Sequence, residues 1–93
     1  MPFVFSKCDI QGPVIIDAKA FGDERGFFLE SYKKSDFIAN GIDVEFMQDN
    51  HSLSSKGVLR GLHYQKSPST QAKLVRVMTG TAWDVAVDIR KNS

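Results

Sequence analysis

The segment from Trp83 to Arg90 constrains the fold more than any other. Trp83, Val85, Val87 and Ile89 alternate with Asp84, Ala86, Asp88 and Arg90, and a period of two places one set on each face of an extended chain. An apolar face of this kind needs a second layer, and the strand's backbone edges need neighbours. The carboxylates fall on the polar face, where surface pairing with arginine is the ordinary arrangement. The preceding run, QAKLVRVMTG, makes the first arm of a hairpin turning at Thr79, Gly80 and Thr81. In that arm Lys73 shares parity with Val75 and Val77. A lysine so placed either snorkels to the rim or sits at the edge of a pocket.

Elsewhere in the chain alternating segments are interspersed with others. Val14, Ile15 and Ile16 after Pro13 read as a short strand, and Lys19 to Glu24 as a loop with Gly22 as its turn residue. From Arg25 the sequence RGFFLESY puts Phe28, Glu30 and Tyr32 on one face and Phe27, Leu29 and Ser31 on the other. Apolar bulk on both faces predicts a strand covered on both sides, with a second subunit as one covering surface. Ser35, Asp36, Phe37 and Ile38 with Gly41 beyond them predict a short capped helix of about two turns. From Val44 to Asn50 the period returns to two, which turns Val44, Phe46, Gln48 and Asn50 inward together. Two inward amides need hydrogen-bond partners, from a neighbouring backbone or from a polar ligand, and by themselves they favour the backbone.

The stretch Gly57–Gln65, GVLRGLHYQ, places an arginine and a histidine inside a strand-like segment interrupted by glycines. Charge and imidazole on a half-buried strand are costly unless paired or used. On these residues alone the economical reading is structural, with Arg60 meeting a surface carboxylate and His63 a satisfied core histidine. Arg60 and His63 differ by three positions and point to opposite faces of a regular strand, unless a bulge at Gly61 resets the alternation.

With 93 residues the chain has room for one domain, 1–93. Six or so strands, one short helix and tight glycine turns predict an all-β sandwich or barrel. Its 12 basic and 11 acidic side chains leave a net charge of +1, so no global field draws it to nucleic acid or to an anionic membrane surface. The single cysteine, Cys8, has no internal disulfide partner and no metal-ligand spacing around it, which sets a reducing, cytoplasmic environment as the default. The N-terminus, MPFVFSKCDI, has too short an apolar run for a signal peptide, and no later run is long enough for a membrane span. Arg90, Lys91, Asn92 and Ser93 follow the last strand with no closing element.

Chemically the chain offers His63, Arg60, Lys73, Gln48, Asn50, Arg25, Glu30 and a few further carboxylates and tyrosines. It has no glycine-rich phosphate loop, no G-x-S-x-G and no cysteine near a histidine. His51 and His63 lack the H-x-H spacing of a metal-binding β-barrel, so no metal is expected. What remains is acid–base chemistry. A histidine near neutral pKa suits removal of a proton beside a carbonyl, a lysine ammonium suits the oxygen that becomes an enolate, and arginines suit a phosphate handle.

Three long motifs, DERGFFLESY at 23–32, FMQDNHSLSSKGVLRGLHYQ at 46–65 and QAKLVRVMTGTAWDVAVDIRKNS at 71–93, together resemble the dTDP-4-dehydrorhamnose 3,5-epimerase family. The resemblance implies a cupin-like, jelly-roll β-barrel that works as a homodimer without metal or organic cofactor. The implied reaction inverts C3 and C5 of dTDP-4-dehydro-6-deoxy-glucose by proton removal beside the C4 ketone and proton return from the other face. In the family the histidine of GLHYQ, here His63, is the base, and the lysine of QAKLVRV, here Lys73, lies beside the keto oxygen. Arg60, Gln48 and Asn50 match substrate contacts, and Arg25 and Glu30 match contacts to the nucleotide, contributed across the dimer. Asp84 matches a position close to the active site, although its parity assigns it to the polar face. The resemblance reaches only the N-terminal half of the family. The later tyrosine that returns the proton and the later carboxylate that orients the base have no match, so the expected barrel is incomplete and the site carries half of its catalytic groups. The implied chain is a fragment, a truncated reading frame, or one completed by another chain. The alternative function is a noncatalytic nucleotide-sugar binding or dimerisation module.

Overall fold

The computed structural model describes residues 3–91; Met1 and Pro2 of the N-terminal apolar stretch, and Asn92 and Ser93 of the tail, lie outside the described residues. The chain divides into two compact units, one built from Met1–Asp43 with Thr81–Ser93 and the other from Val44–Gly80.

The first unit holds the regular elements: β1 (Phe3–Lys7), β2 (Val14–Ala18), β3 (Ala20–Asp23), β4 (Gly26–Leu29) and α1 (Lys34–Ala39). β1 pairs antiparallel with β2, from Phe3 opposite Ala18 to Lys7 opposite Val14. β3 pairs antiparallel with β4, from Ala20 opposite Leu29 to Asp23 opposite Gly26. Two small antiparallel sheets and one short helix make an all-β fragment, consistent with an incomplete cupin-like fold.

The core of this unit is aromatic. Phe37 on α1 is 1% exposed and Phe3 on β1 is 6% exposed. The Phe37 ring meets those of Phe3, Phe5 and Tyr32 nearly edge-on, with centroids 5.5, 5.2 and 4.7 Å away. Each contact falls in the range that the ring quadrupole favours, and burying one such side chain stabilises by about 2 kcal/mol. The helix therefore serves to deliver one ring to the face of β1.

Several expectations change here. β1 was not anticipated, although Phe3 and Phe5 already alternate with Val4 and Ser6. Gly22 is a strand residue rather than a turn residue, and the turn falls at Glu24 and Arg25. The reason is local: Asp23 Oδ1 accepts the Arg25 N–H at 2.9 Å, closing the bend. Gly26 then takes φ 131°, a conformation that L side chains rarely adopt. The helix starts two residues early, at Lys34, with Lys33 rather than Ser35 as its N-cap and no side-chain cap, so Ser35 lies inside it. At its other end Asn40 Nδ2 donates to the Asp36 carbonyl at 2.8 Å, and the N–H groups of Gly41 and Ile42 return to Ile38 and Phe37. The expected double cover over β4 is not supplied by the described residues: Phe27 and Phe28 are each 74% exposed.

In the second unit the predicted strands form no ladder among the described residues. Val44 and Phe46 are half-buried while Glu45 and Met47 are exposed, so the period of two begins as predicted, and then lapses. Leu59 is 92% exposed, so no layer among the described residues of this unit covers it. β-propensity expresses itself against a half-buried pleated surface, and among the described residues of this unit no such surface covers Leu59. Trp83 in the first unit, 93% exposed, reports the same condition for the segment after Gly80, whose predicted hairpin partner is likewise not laddered.

Candidate functional site

The residues singled out by sequence fall in both units. Arg25, Glu30 and Asp84 belong to the first, and Gln48, Asn50, Arg60, His63 and Lys73 to the second.

Arg25 has the most developed surroundings. The β3–β4 turn carries it one residue before Gly26, and Asp23 at the end of β3 holds it with four hydrogen bonds. Beyond the backbone contact, Arg25 Nη2 donates to Asp23 Oδ2 at 2.7 Å and Nε donates to Oδ2 at 3.2 Å and to Oδ1 at 3.4 Å. The Arg25 side-chain donors, followed by its backbone N–H, lower the Asp23 carboxyl from its ordinary value, and the same side-chain bonds hold the guanidinium firmly charged. The Arg25 side chain is nevertheless 87% exposed. Glu30, just after β4, is half-buried.

In the second unit, Gln48 Nε2 donates to Asn50 Oδ1 at 3.2 Å. The two amides thus share a face, as alternation requires, but they are exposed rather than inward, and each partners the other instead of a neighbouring backbone. Arg60 Nε donates to Ser54 Oγ at 3.0 Å, which ties the Gly57–Gln65 stretch back to the polar loop before it, in place of the surface carboxylate expected for it. His63 and Lys73 are exposed and make no hydrogen bond or ion pair among the described residues, so the satisfied core histidine of the economical reading is not found. Between Arg60 and His63, Gly61 takes φ 123°, so the regular alternation that would separate them is interrupted at the residue suspected of doing so.

Asp84 is exposed, in keeping with its assignment to the polar face, and has no ion pair among the described residues. Its neighbour on that face, Asp88, does pair with arginine: Arg90 Nη2 lies 2.7 Å from Asp88 Oδ2. Among the described residues no group of three histidine, cysteine, aspartate or glutamate side chains gathers as a metal would require, and no helix is long and apolar enough to cross a membrane. Sequence reasoning passed over Asp23. The signal that could have found it is the spacing Asp-x-Arg at a turn, repeated at Asp88 and Arg90.

Comparison with known proteins bears on the whole of this set. The family model described as dTDP-4-dehydrorhamnose 3,5-epimerase matches residues 7–93, a span that contains each candidate residue. A protein of that name from Shigella flexneri is 59% identical over 88 residues, covering 94% of this chain and 49% of its own length. Another from Methanothermobacter thermautotrophicus is 50% identical over 91 residues, covering 98% of this chain and 49% of its own. A third, from Salmonella typhimurium, is 54% identical over 88 residues, with coverage of 94% and 48%. The chain spans about half the length of the curated relatives it matches.

Proposed function

We propose, for a chain that belongs to the dTDP-4-dehydrorhamnose 3,5-epimerase family, that it supplies the base half of a site that epimerises C3 and C5 of a dTDP-linked 4-keto-6-deoxy sugar in dTDP-L-rhamnose biosynthesis. The single observation that carries this is the family match over residues 7–93, at 59% identity to one relative, across the motifs that hold the candidate residues. In this reading residues 1–93 act as one domain, in the cytoplasm and within a homodimer, without a metal or organic cofactor.

The division of labour follows from the chemistry of the groups. Protons beside the C4 ketone are acidified by the carbonyl, and an imidazole titrating near neutrality is a suitable base for them. His63, exposed and without a hydrogen-bond partner among the described residues, takes that role. As the proton leaves, negative charge develops on the ketone oxygen, and the Lys73 ammonium stabilises it. Gln48, Asn50 and Arg60 hold the sugar, Arg25 and Glu30 the nucleotide, and Asp84 lies close by. A deuterium test is direct. In D2O the wild-type site, completed by its second half, incorporates deuterium at C3 and C5 of dTDP-4-dehydro-6-deoxy-glucose, and His63→Ala abolishes that incorporation. Retained exchange in the variant refutes the base assignment.

A second reading is favoured by the exposure of the large apolar side chains Phe27, Phe28 and Trp83: a noncatalytic nucleotide-sugar binding or dimerisation module. It predicts dTDP binding and self-association of the 93-residue chain with no deuterium exchange at all.

A further inference from the structure

The Asp23–Arg25 arrangement goes beyond the site as proposed above, because Asp23 was assigned no part in it. We infer that Asp23 is a positioning residue: it fixes the Arg25 guanidinium at the β3–β4 turn so that the guanidinium's unoccupied edge is held ready for the diphosphate of a nucleotide. This rests on the nucleotide-binding part of the proposed function.

Guanidinium geometry supplies the first step. The carboxylate occupies the edge formed by Nε and Nη2, at 3.2 and 2.7 Å from Asp23 Oδ2. That leaves both Nη1 protons and the second Nη2 proton; this last and the Nη1 proton beside it form the end-on fork suited to two phosphate oxygens. No protein acceptor meets that fork among the described residues, and the side chain is 87% exposed.

The second step comes from elsewhere in the same unit. Asp88 and Arg90 repeat the arrangement: the Arg90 N–H and Nε donate to Asp88 Oδ1 at 3.0 and 2.9 Å, and Nη2 donates to Oδ2 at 2.7 Å. Clamped in this way, Arg90 Nη2 still donates to a further acceptor, the carbonyl of Gln11. The clamp therefore leaves a working donor. At Arg90 the fold supplies the acceptor; at Arg25 it supplies none among the described residues.

The third step concerns entropy. An exposed arginine carries several rotatable bonds, and ordering it on ligand binding opposes affinity. A carboxylate two residues away, itself fixed by the turn it closes, restricts those rotamers before the ligand arrives.

Calorimetric titration of the full chain with dTDP and with thymidine, which lacks the phosphates, tests this. Asp23→Asn retains an oxygen to accept the Arg25 N–H but loses the two-pronged hold, and it weakens dTDP binding by about 3- to 10-fold, the cost of immobilising one rotamer-rich side chain on binding. Thymidine affinity stays unchanged, and in an Arg25→Ala background the same substitution has no further effect on dTDP. Asp23→Glu, which keeps the charge, recovers part of the loss. Unchanged or tighter dTDP binding by Asp23→Asn overturns the inference, because the carboxylate then only competes with the diphosphate. Equal losses for dTDP and thymidine also overturn it, because they mark a loosened hairpin. A wild-type chain that binds no dTDP removes the nucleotide-binding reading itself, and this inference with it.

Discussion

Two Asp-x-Arg turns in one unit, at 23–25 and 88–90, use the same local chemistry for different ends. At the second, the aspartate side chain is 14% exposed and the arginine 56%, and the guanidinium reaches across 79 residues of sequence to the Gln11 carbonyl. It ties the Cys8–Pro13 connection between β1 and β2 to the segment that follows Gly80. At the first, the corresponding exposures are 52% and 87%, and the guanidinium ends in solvent. Neither ion pair adds much stability by itself, because exposed pairs are screened and gain little over hydration. What differs is the destination of the remaining donors. A clamp whose outer edge meets backbone is a structural tie, and one whose outer edge meets nothing among the described residues is a prepared anion contact.

The sharpest way to break this comparison is to delete each arginine in turn and read two quantities for both variants. Arg25→Ala lowers dTDP affinity by about 10-fold or more, as expected when a bidentate charge-assisted contact is lost, while amide exchange in the β1–β2 connection is unaffected. Arg90→Ala does the reverse. Its dTDP affinity stays within about twofold of wild type, and exchange quickens at the Cys8 amide, which donates to the Pro13 carbonyl at 3.4 Å and lies in the connection that Arg90 restrains. Hydrogen exchange followed by mass spectrometry, beside the same titration, separates the two outcomes. If both variants lose dTDP binding equally, the two turns are not functionally distinct.

The comparison also shows what could be read from residues alone. Asp88 on the polar face of an alternating segment was correctly expected to meet an arginine, because parity and charge are local properties. The partner at the far end, the Gln11 carbonyl, was not legible, since it depends on where the β1–β2 connection runs. The all-β class followed from the strand-like segments and glycine turns, β2 from the apolar run of Val14, Ile15 and Ile16 after Pro13, and the short helix from the Phe37 and Ile38 pair before Gly41. The turn at Glu24 and Arg25 did not, because Gly22 was weighed by residue type while the side chain of Asp23 closes the bend two residues later. The inward placement of Gln48 and Asn50 failed for a related reason. Periodicity states which residues share a face, and Gln48 and Asn50 do, but the covering layer that would make that face inward is a tertiary property. The motifs around His63, Lys73 and Arg25 were legible as a family pattern, whereas the clamp on Arg25 became visible only in three dimensions.

The smallest expected effect is the most selective for the clamp itself. Arg25 lowers the Asp23 carboxyl from its ordinary 3.8, chiefly through the side-chain hydrogen bonds and secondarily through the backbone N–H. A carboxyl whose folded value is depressed contributes its stabilisation in full above the unfolded value and loses it as pH falls through the folded value. The hold on Arg25 is therefore intact at neutral pH and released only in acid, below the ordinary 3.8. Carboxyl carbon chemical shifts followed against pH should give Asp23 a midpoint below 3.8 in the wild-type chain, rising toward 3.8 in Arg25→Ala. Added salt should raise it in the same direction and by less, because the pair is exposed. A midpoint that ignores the loss of Arg25 would mean that the carboxylate is held by the turn and not by the guanidinium, and Asp23 would then have no means of positioning it.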